Sequence, residues 1–197
     1  MTLSGKKRTA VKSNDDGSEP NLIHRARQGD AATWEMLVRR HQEPTFRLAY
    51  LILGDAADAE EIAQEAFVQA FLSLDNFDEQ RPFRPWILQI TRNLARNRRR
   101  GLGRYWVHVK RWWQQQPVSV AEPADQAHTE ARLLWQAVSQ LKPAWQEVIY
   151  LRYFLEMSET ETAATLDIAP GTVKSRLHRA LQALKWIIEQ DFVELSA

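Results

Sequence analysis

The chain has 197 residues, a formal net charge of +1, 44% hydrophobic residues and no cysteine. This length favours one or two domains, and the apolar content excludes a chain that is disordered throughout. The lack of cysteine excludes disulfides and thiolate metal sites and fits a reducing compartment. Because no apolar run follows Lys6, Lys7 and Arg8, and the stretch from Leu48 to Leu53 is too short to span a bilayer, we expect no secretory signal, no membrane insertion and a cytoplasmic location.

The first fifty residues predict a polar tail followed by helices. Residues 1–19 are rich in polar residues and are predicted to form a disordered tail. A first helix starts near Leu22 and is interrupted at Gly29, after which Asp30 is a suitable N-cap for a second helix. Pro44 is either a kink in that helix or a first-turn residue of another one, and the apolar pattern stops at Gly54.

An acidic helix is predicted next. One face of it carries apolar residues at helical spacing, which we expect to be buried: Ala59, Ile62, Ala63, Ala66, Phe67, Ala70, Phe71 and Leu74. Asp58, Glu61 and Glu65 then lie together on another face.

A loop and a basic helix follow the acidic helix. The segment from Asp75 to Pro85 contains two prolines and no clean period, so it is predicted to be a loop. A helix from about Trp86 is expected to bury Trp86, Ile87, Ile90 and Leu94 and to expose Gln89, Arg92, Asn93, Arg96, Asn97 and Arg100.

The charge of these two helices is segregated. No Lys or Arg occurs from Leu48 to Gln80, and no Asp or Glu occurs from Arg81 to Ala121. Such segregation in a nearly neutral chain suits one surface that meets a protein and a neighbouring surface that meets nucleic acid.

The second half of the chain begins with a predicted linker at residues 101–129, basic and aromatic first and rich in Pro, Ala and Gln later. Helical periodicity returns at Leu133, and we see no strand of consequence. The predicted fold class is therefore all-α, with two small helical domains, residues 20–100 and 130–191, joined by a flexible linker.

A helix-turn-helix pattern occupies the last quarter. Ser158 and Glu161 form a capping box, a turn follows at residues 167–169, and Pro170 opens a second helix. We expect the buried face of that helix to contain Val173, Leu177, Ala180, Leu181 and Leu184. The opposite face would then be free to enter a major groove. An αα-hairpin with a solvated basic face is the alternative.

Three stretches together resemble one family, the bacterial RNA polymerase sigma factors of the extracytoplasmic-function (ECF) type within the sigma-70 family. They are DAEEIAQEAFVQAF at residues 58–71, WILQITRNLARNRRR at residues 86–100, and residues 141–184 with the helix-turn-helix. The resemblance implies binding to core RNA polymerase, recognition of promoter DNA and control by an anti-sigma factor, without a cofactor. Asn97 departs from the family, in which Asp is common at this position, and Trp106, Trp112 and Trp113 make the linker unusual.

The resemblance implies that the acidic helix docks on the coiled-coil clamp of the largest polymerase subunit. The residues expected to make this contact are Asp58, Glu61, Gln64 and Glu65. A plain solvated helix face is the alternative.

For the −10 strand, the resemblance implies contacts from the loop and the basic helix. The expected residues are Arg81, Arg84, Arg92, Asn93, Arg96, Asn97, Arg99 and Arg100. Arginines suit the backbone of the displaced strand, whereas the amides of Asn93 and Asn97 can read base edges. We expect Trp86 to serve the core rather than to stack on a base, and a solubility patch is the alternative for the arginine run.

For the −35 duplex, the expected contacts come from the second helix of the helix-turn-helix. They are Thr172, Lys174, Ser175, Arg176, His178 and Arg179, of which Lys174 and Arg179 are best placed for guanine edges or phosphates.

Enzymatic function is not expected. The five histidines are scattered without metal-ligand spacing, and no catalytic or metal-binding residue can be named. The competing hypothesis is a conventional helix-turn-helix regulator that binds duplex DNA without polymerase.

Overall fold

The computed structural model describes the backbone of residues 17–113 and 126–191 and the side chains of residues 17–101 and 133–191. In these ranges the chain forms eight α-helices and no strand, as the sequence pattern predicts. Their bounds are α1 Glu19–Arg27, α2 Ala31–Leu53, α3 Ala56–Leu72, α4 Phe83–Trp113, α5 Gln126–Ser139, α6 Pro143–Ile149, α7 Glu159–Leu166 and α8 Pro170–Asp191. Helices α1–α4 pack together as an N-terminal bundle, and α5–α8 form a C-terminal bundle.

Helix α2 begins at the predicted cap, where the side chain of Asp30 accepts a hydrogen bond from the Thr33 amide. It continues for 23 residues and contains Pro44 in its interior. An internal proline costs a helix about 3 kcal/mol. The helix persists because apolar side chains on both sides of Pro44, including Leu37 and Leu48, are buried in the same core.

Glu19, a residue of the predicted tail, links three helices of the N-terminal bundle. The Glu19 carboxylate accepts a hydrogen bond from the Phe83 amide at 3.1 Å and pairs with the buried His41 ring at 3.0 Å. The hydrogen bond from His41 comes first among the interactions that hold the pKa of Glu19 below its ordinary value. One carboxylate therefore joins α1, α2 and the start of α4. Residues 1–16, the rest of the predicted tail, lie outside the described part of the chain.

Helix α4 is longer than the sequence pattern predicts. It starts at Phe83, with Pro85 in its first turn where proline is tolerated, and its backbone stays helical to Trp113. The predicted boundary near Arg100 rests on Gly101 and Gly103, and each glycine costs a helix only about 1 kcal/mol. The predicted linker residues 114–125 lie outside the described part of the chain, as do the side chains of the linker tryptophans.

In the C-terminal bundle, Gln146 connects α6 to the end of α5. Its side-chain amide nitrogen donates to the carbonyls of Val138, Ser139 and Leu141 at 3.3, 2.8 and 3.0 Å, and so satisfies the end of α5. A five-residue π-helical turn, Tyr150–Phe154, follows α6. The bundle thus presents α7 and α8 as a helix pair on a fixed base.

A candidate polymerase- and promoter-binding surface

The acidic row, which we define as Asp58, Glu61, Gln64 and Glu65, lies on the outer side of α3. Asp55 is the N-cap of this helix, and its side chain accepts a hydrogen bond from the Asp58 amide at 2.9 Å. Because the opposite face packs its alanines, Ile62 and Phe67 into the bundle, Glu61, Gln64 and Glu65 are left exposed and Asp58 partly exposed.

The end of the buried stripe differs from the prediction. Phe71 is 50% exposed, although it was expected to be buried, because it lies at the edge of the bundle, where it packs against Trp34 at a centroid distance of 5.2 Å. Val68 and Leu72 are also exposed, by 57% and 76%. Val68 lies three residues after Glu65, and Leu72 lies four residues after Val68. The acidic row therefore continues into apolar side chains on the same helix face. Sequence reasoning missed this apolar extension.

Arg98 of α4 approaches the acidic row from the side. Its Nη2 atom lies 3.1 Å from an Asp58 carboxylate oxygen and also bonds to the carboxylate of Glu61. Part of the negative charge of the row is therefore balanced within the protein. Gln64 and Glu65 stay outside this contact.

The basic helix exposes some of its predicted strand-binding residues. Asn93, Asn97 and Arg100 are exposed, as is Arg81 in the preceding loop, while Arg99 is half-buried. Asn93 and Asn97 are four residues apart and share one helix face, so their amides point to the same side.

Three other predicted strand-binding residues contact the C-terminal bundle. Arg84 donates to the Leu155 carbonyl at 2.6 Å, and Arg92 and Arg96 pair with Glu147 of α6. The expected exposure of Arg92 is wrong for this conformation, because only 12% of its side chain is exposed. Helical periodicity could not reveal this contact, since the partner carboxylate lies 55 residues away in the chain.

A cleft of about 120 Å³ opens beside the start of α4. It is lined by residues of the preceding loop, the first turns of α4 and one residue of α7: Asn76, Phe77, Asp78, Arg81, Pro82, Pro85, Trp86, Gln89 and Ala164. The lining joins aromatic surface with amide, carboxylate and guanidinium groups. This combination can hold a planar, hydrogen-bonding group such as a base.

Trp86 forms part of both the core and the cleft. Its ring packs on Phe77 at 4.5 Å and on Phe83 at 5.4 Å between centroids, which supports the predicted core role. The ring is nevertheless only partly buried and lines the cleft. The sequence signal for this second position was the proline-rich loop next to an aromatic helix start.

The helix-turn-helix is built by local hydrogen bonds that the sequence predicts. Ser158 Oγ accepts from the Glu161 amide at 3.2 Å, and the Glu161 carboxylate accepts from the Ser158 amide at 2.8 Å, which is the expected capping box. Burial raises the pKa of Glu161, but the hydrogen bonds to Ser158 and the charges of Arg84 and Arg152 outweigh it and leave the pKa lowered. Asp167 ends α7 in the left-handed conformation, with φ of 55°. The turn then directs α8 across α7.

Helix α8 presents the predicted duplex-binding residues on its outer face. Lys174, Ser175, His178 and Arg179 are exposed, and Thr172 and Arg176 are half-buried. Val173 and Ala180 are fully buried against the bundle, but Leu181, also expected to be buried, is 38% exposed. Leu181 falls at the edge of the apolar stripe, where the short α7 no longer covers it.

Among the side chains of residues 17–101 and 133–191, no group of three or more His, Asp or Glu residues is arranged to hold a metal ion. In the same ranges, no helix combines the length and apolar character that crossing a bilayer requires.

Comparison with known proteins connects both surfaces to one family. Residues 37–105 match the family model for Sigma-70 region 2, and residues 131–184 match that for Sigma-70 region 4. The first match contains the acidic row, α4 as far as residue 105 and every residue of the cleft except Ala164, and the second contains the helix-turn-helix.

Similar curated proteins cover more than four fifths of the chain. The ECF RNA polymerase sigma factor SigW of Bacillus subtilis is 30% identical over 173 residues, which is 83% of this chain and 92% of SigW. The ECF RNA polymerase sigma factor SigL of Mycobacterium tuberculosis is 32% identical over 167 residues, covering 84% of this chain and 94% of SigL.

A solved structure with a similar fold is that of CnrH in complex with the cytosolic domain of CnrY. It aligns with a TM-score of 0.66 and 26% identity over 87% of this chain and 97% of CnrH. Two region matches in the family's order, together with relatives that match over most of their length, establish the assignment. The chain belongs to the ECF group of sigma-70 family RNA polymerase sigma factors.

Proposed function

We propose that this sigma factor docks on core RNA polymerase through the acidic row, holds the melted −10 strand along α4 and its cleft, and reads the −35 duplex with α8. It acts in the cytoplasm as a non-enzymatic subunit. The observation that carries the proposal is the presence, on one chain, of a cleft suited to an unstacked base and a separate helix suited to a major groove.

The acidic row has the composition of a protein-binding surface. Exposed carboxylates steer a basic partner and set its register, whereas exposed apolar side chains contribute most of the contact energy. Glu61 and Glu65 supply the first, and Val68 and Leu72 supply the second. We therefore include Val68 and Leu72 in the proposed docking surface.

The cleft and the basic helix form a continuous strand-binding region. An enzyme or sigma factor that opens DNA must receive a base taken out of the stack, which requires an aromatic or apolar wall and polar groups for its edge. The cleft offers Trp86 as the wall and Asn76 and Gln89 as amides. Asn93 and Asn97 continue the amide series along α4, and the arginines supply positive charge for the phosphates.

Helix α8 is the proposed reader of the upstream element. Lys174 and Arg179 are exposed and long enough to reach base edges, while Ser175 and His178 add shorter hydrogen-bonding groups. Thr172 and Arg176 lie nearer the bundle, which suits phosphate contacts that fix the orientation of the helix.

An inhibitory protein partner is also proposed. The family resemblance implies an anti-sigma factor, and the similar CnrH structure holds the cytosolic domain of CnrY. The regulator hypothesis, a duplex-binding protein without polymerase, is not favoured, because it leaves the region 2 match at residues 37–105 unexplained.

Reconstitution with core RNA polymerase tests the proposal. The full chain is mixed with core polymerase, separated by size-exclusion chromatography, and the complex is assayed for transcription from a library of promoter sequences. We expect co-elution and selective initiation at a subset of promoters. A protein that binds duplex DNA but never co-elutes with core polymerase would support the regulator hypothesis instead.

A further inference from the structure

The contact between the two bundles is centred on one buried carboxylate. Glu147 of α6 is only 3% exposed, and its Oε2 atom accepts hydrogen bonds from Arg92 Nε at 2.9 Å and lies 2.8 Å from Arg92 Nη2. Its other oxygen, Oε1, lies 3.5 Å from Arg96 Nε. A carboxylate from the C-terminal bundle thus occupies two of the arginines proposed for the −10 strand.

Two weaker polar contacts extend this interface along α4. Arg84 donates to the Leu155 carbonyl at 2.6 Å, and Thr165 Oγ1 of α7 donates to the Pro85 carbonyl at 3.4 Å. Ala164 of α7 lies at the wall of the cleft. The C-terminal bundle therefore covers the same segment of α4 that the proposed function assigns to the melted strand.

The chemistry of this contact resembles that of a phosphate contact. An arginine guanidinium presents its N–H groups in a planar fork that fits carboxylate and phosphate oxygens alike. Because Arg92 is 12% exposed in this conformation, a strand phosphate cannot reach it while Glu147 is in place.

The ion pair is also suited to being reversible. Burial removes the favourable hydration of both charges, so a buried ion pair gives little net stability unless every polar atom is satisfied. Glu147 Oε1 is buried and makes no hydrogen bond within the described part of the chain. The free energies of the arginines paired with Glu147 and of the arginines paired with a competing anion therefore differ little, so such an anion can replace Glu147.

We propose that the Glu147 carboxylate occupies the position of a DNA phosphate in the free sigma factor. It holds the two bundles together and masks Arg92 and Arg96 until the bundles separate. The proposal rests on the strand-binding role proposed above for these arginines. It concerns only part of the −10 region, because Asn93 and Asn97 stay exposed in the closed form, as does the outer face of α8.

The distance between the bundles tests the closed state directly. Because the chain has no cysteine, Gln42→Cys in α2 and Gln190→Cys in α8 accept spin labels at unique, exposed positions. Pulsed electron paramagnetic resonance on the full chain should show one narrow distance distribution. Glu147→Gln, which keeps the shape but removes the charge, should broaden it and move it to longer distances.

Matched variants separate opening from general damage. Glu35→Gln removes the same charge from an exposed pair with Arg39 and should leave the distribution unchanged. Arg92→Gln should open the bundles as Glu147→Gln does, and the double variant should add little, since both break one ion pair. Unchanged distances in Glu147→Gln and Arg92→Gln, with normal helical circular dichroism, would overturn the proposal.

Binding of a single strand distinguishes this proposal from the function on which it rests. The probe is a fluorescein-labelled oligonucleotide of about 12 thymidines, titrated by anisotropy with the free full-length protein. We expect Glu147→Gln to bind it about tenfold more tightly than the wild type, because the competent state is more populated. Bundles that separate without any gain in affinity would overturn the strand-binding role of Arg92 and Arg96, whereas bundles that do not separate in Glu147→Gln would overturn the closed state and leave that role untouched.

Discussion

Arg98 lies 3.1 Å from Asp58, and this ion pair links the basic helix to the acidic helix that precedes it. The same guanidinium bonds to Glu61. Two of the three carboxylates in the acidic row therefore have a structural partner as well as a proposed polymerase contact. A charge reversal at either position would disturb the α3–α4 packing in addition to any docking.

Glu65 gives the cleanest test of polymerase docking. It is exposed and lies outside the contact with Arg98, so Glu65→Lys should leave the thermal midpoint unchanged. We expect affinity for core polymerase, measured by fluorescence titration, to fall about tenfold at low salt, with a smaller loss at high salt because the attraction is screened. Glu189→Lys, an exposed reversal on α8, is the control. Equal affinities for both variants and the wild type would remove the row from the docking surface.

The apolar extension of the row makes a separate prediction. Leu72→Ser removes a side chain that is 76% exposed, so the fold should gain or lose little stability. If Leu72 packs into the polymerase, binding should weaken by about 1–2 kcal/mol at low and high salt alike, because apolar contacts are not screened. A salt-dependent loss would contradict an apolar contact.

The recognition helix can be tested by comparing bases with phosphates. Arg179→Ala or Lys174→Ala should cost about 1–3 kcal/mol on the cognate −35 duplex if the side chain reads a base edge. Loss of a phosphate contact would instead weaken binding to all DNA sequences alike. It would also reduce the slope of log affinity against log salt concentration by about one unit. Lys185→Ala, an exposed change further along α8, provides the comparison. Duplex affinity that is indifferent to Arg179 and Lys174 would mean that another face of α8 meets DNA.

Asn93 and Asn97 separate promoter opening from binding. Both are exposed, so Asn93→Ala and Asn97→Ala should leave folding, core binding and −35 binding nearly normal. Opening should be reduced, as measured by permanganate reactivity of unpaired thymines. A promoter with a pre-melted mismatch should partly restore opening without restoring preference for the cognate base. If both variants open duplex promoters at the wild-type rate, the reader must lie in the cleft or at Arg81.

The N-terminal bundle should lose stability in acid through Glu19. Because the hydrogen bond from His41 and the other contacts lower the Glu19 pKa from its ordinary 4.5, the carboxylate stabilises the fold above that pH. Its contribution is lost as the pH falls through the lower, folded-state value. Glu19→Gln should therefore reduce the free energy of unfolding by about 1–3 kcal/mol at pH 7, and by less at an acid pH below 4.5. Denaturant titrations at the two pH values measure this, and an equal loss at both would contradict the assignment.

Local signals predicted the helices and their caps well. Asp30, Ser158 with Glu161, and Pro170 each act within one or two turns, and the structure confirms them. The structure continues α4 beyond the predicted boundary near Arg100 and places Pro44 inside α2, where it had been expected as a kink or as a first-turn residue. Both outcomes depend on costs of about 1–3 kcal/mol that tertiary packing can offset.

Contacts between distant segments could not be predicted from helical periodicity. Arg92 lies on the polar face of α4, and nothing in its own neighbourhood shows that Glu147 covers it. The available signal lay in α6, where Glu147 directly precedes the apolar residues Val148 and Ile149; a charged residue buried beside them needs a partner. The cleft was missed for a similar reason, because its lining joins residues 76–89 with Ala164 of the distant helix α7.

The three hydrogen bonds of Gln146 have a mechanical consequence. They fasten the final turn of α5 to α6, and α5 also packs on α8. Residues 114–125 connect α4 to the first residue of α5, whereas the bonds of Gln146 hold the opposite end of that helix. A pull from the first bundle is therefore transmitted along α5 to its fixed end. We expect such a pull to move α5 and α8 together as one rigid body. The length of the connecting residues would then limit the distance between the two DNA-binding surfaces and favour promoters whose −10 and −35 elements lie a fixed number of base pairs apart.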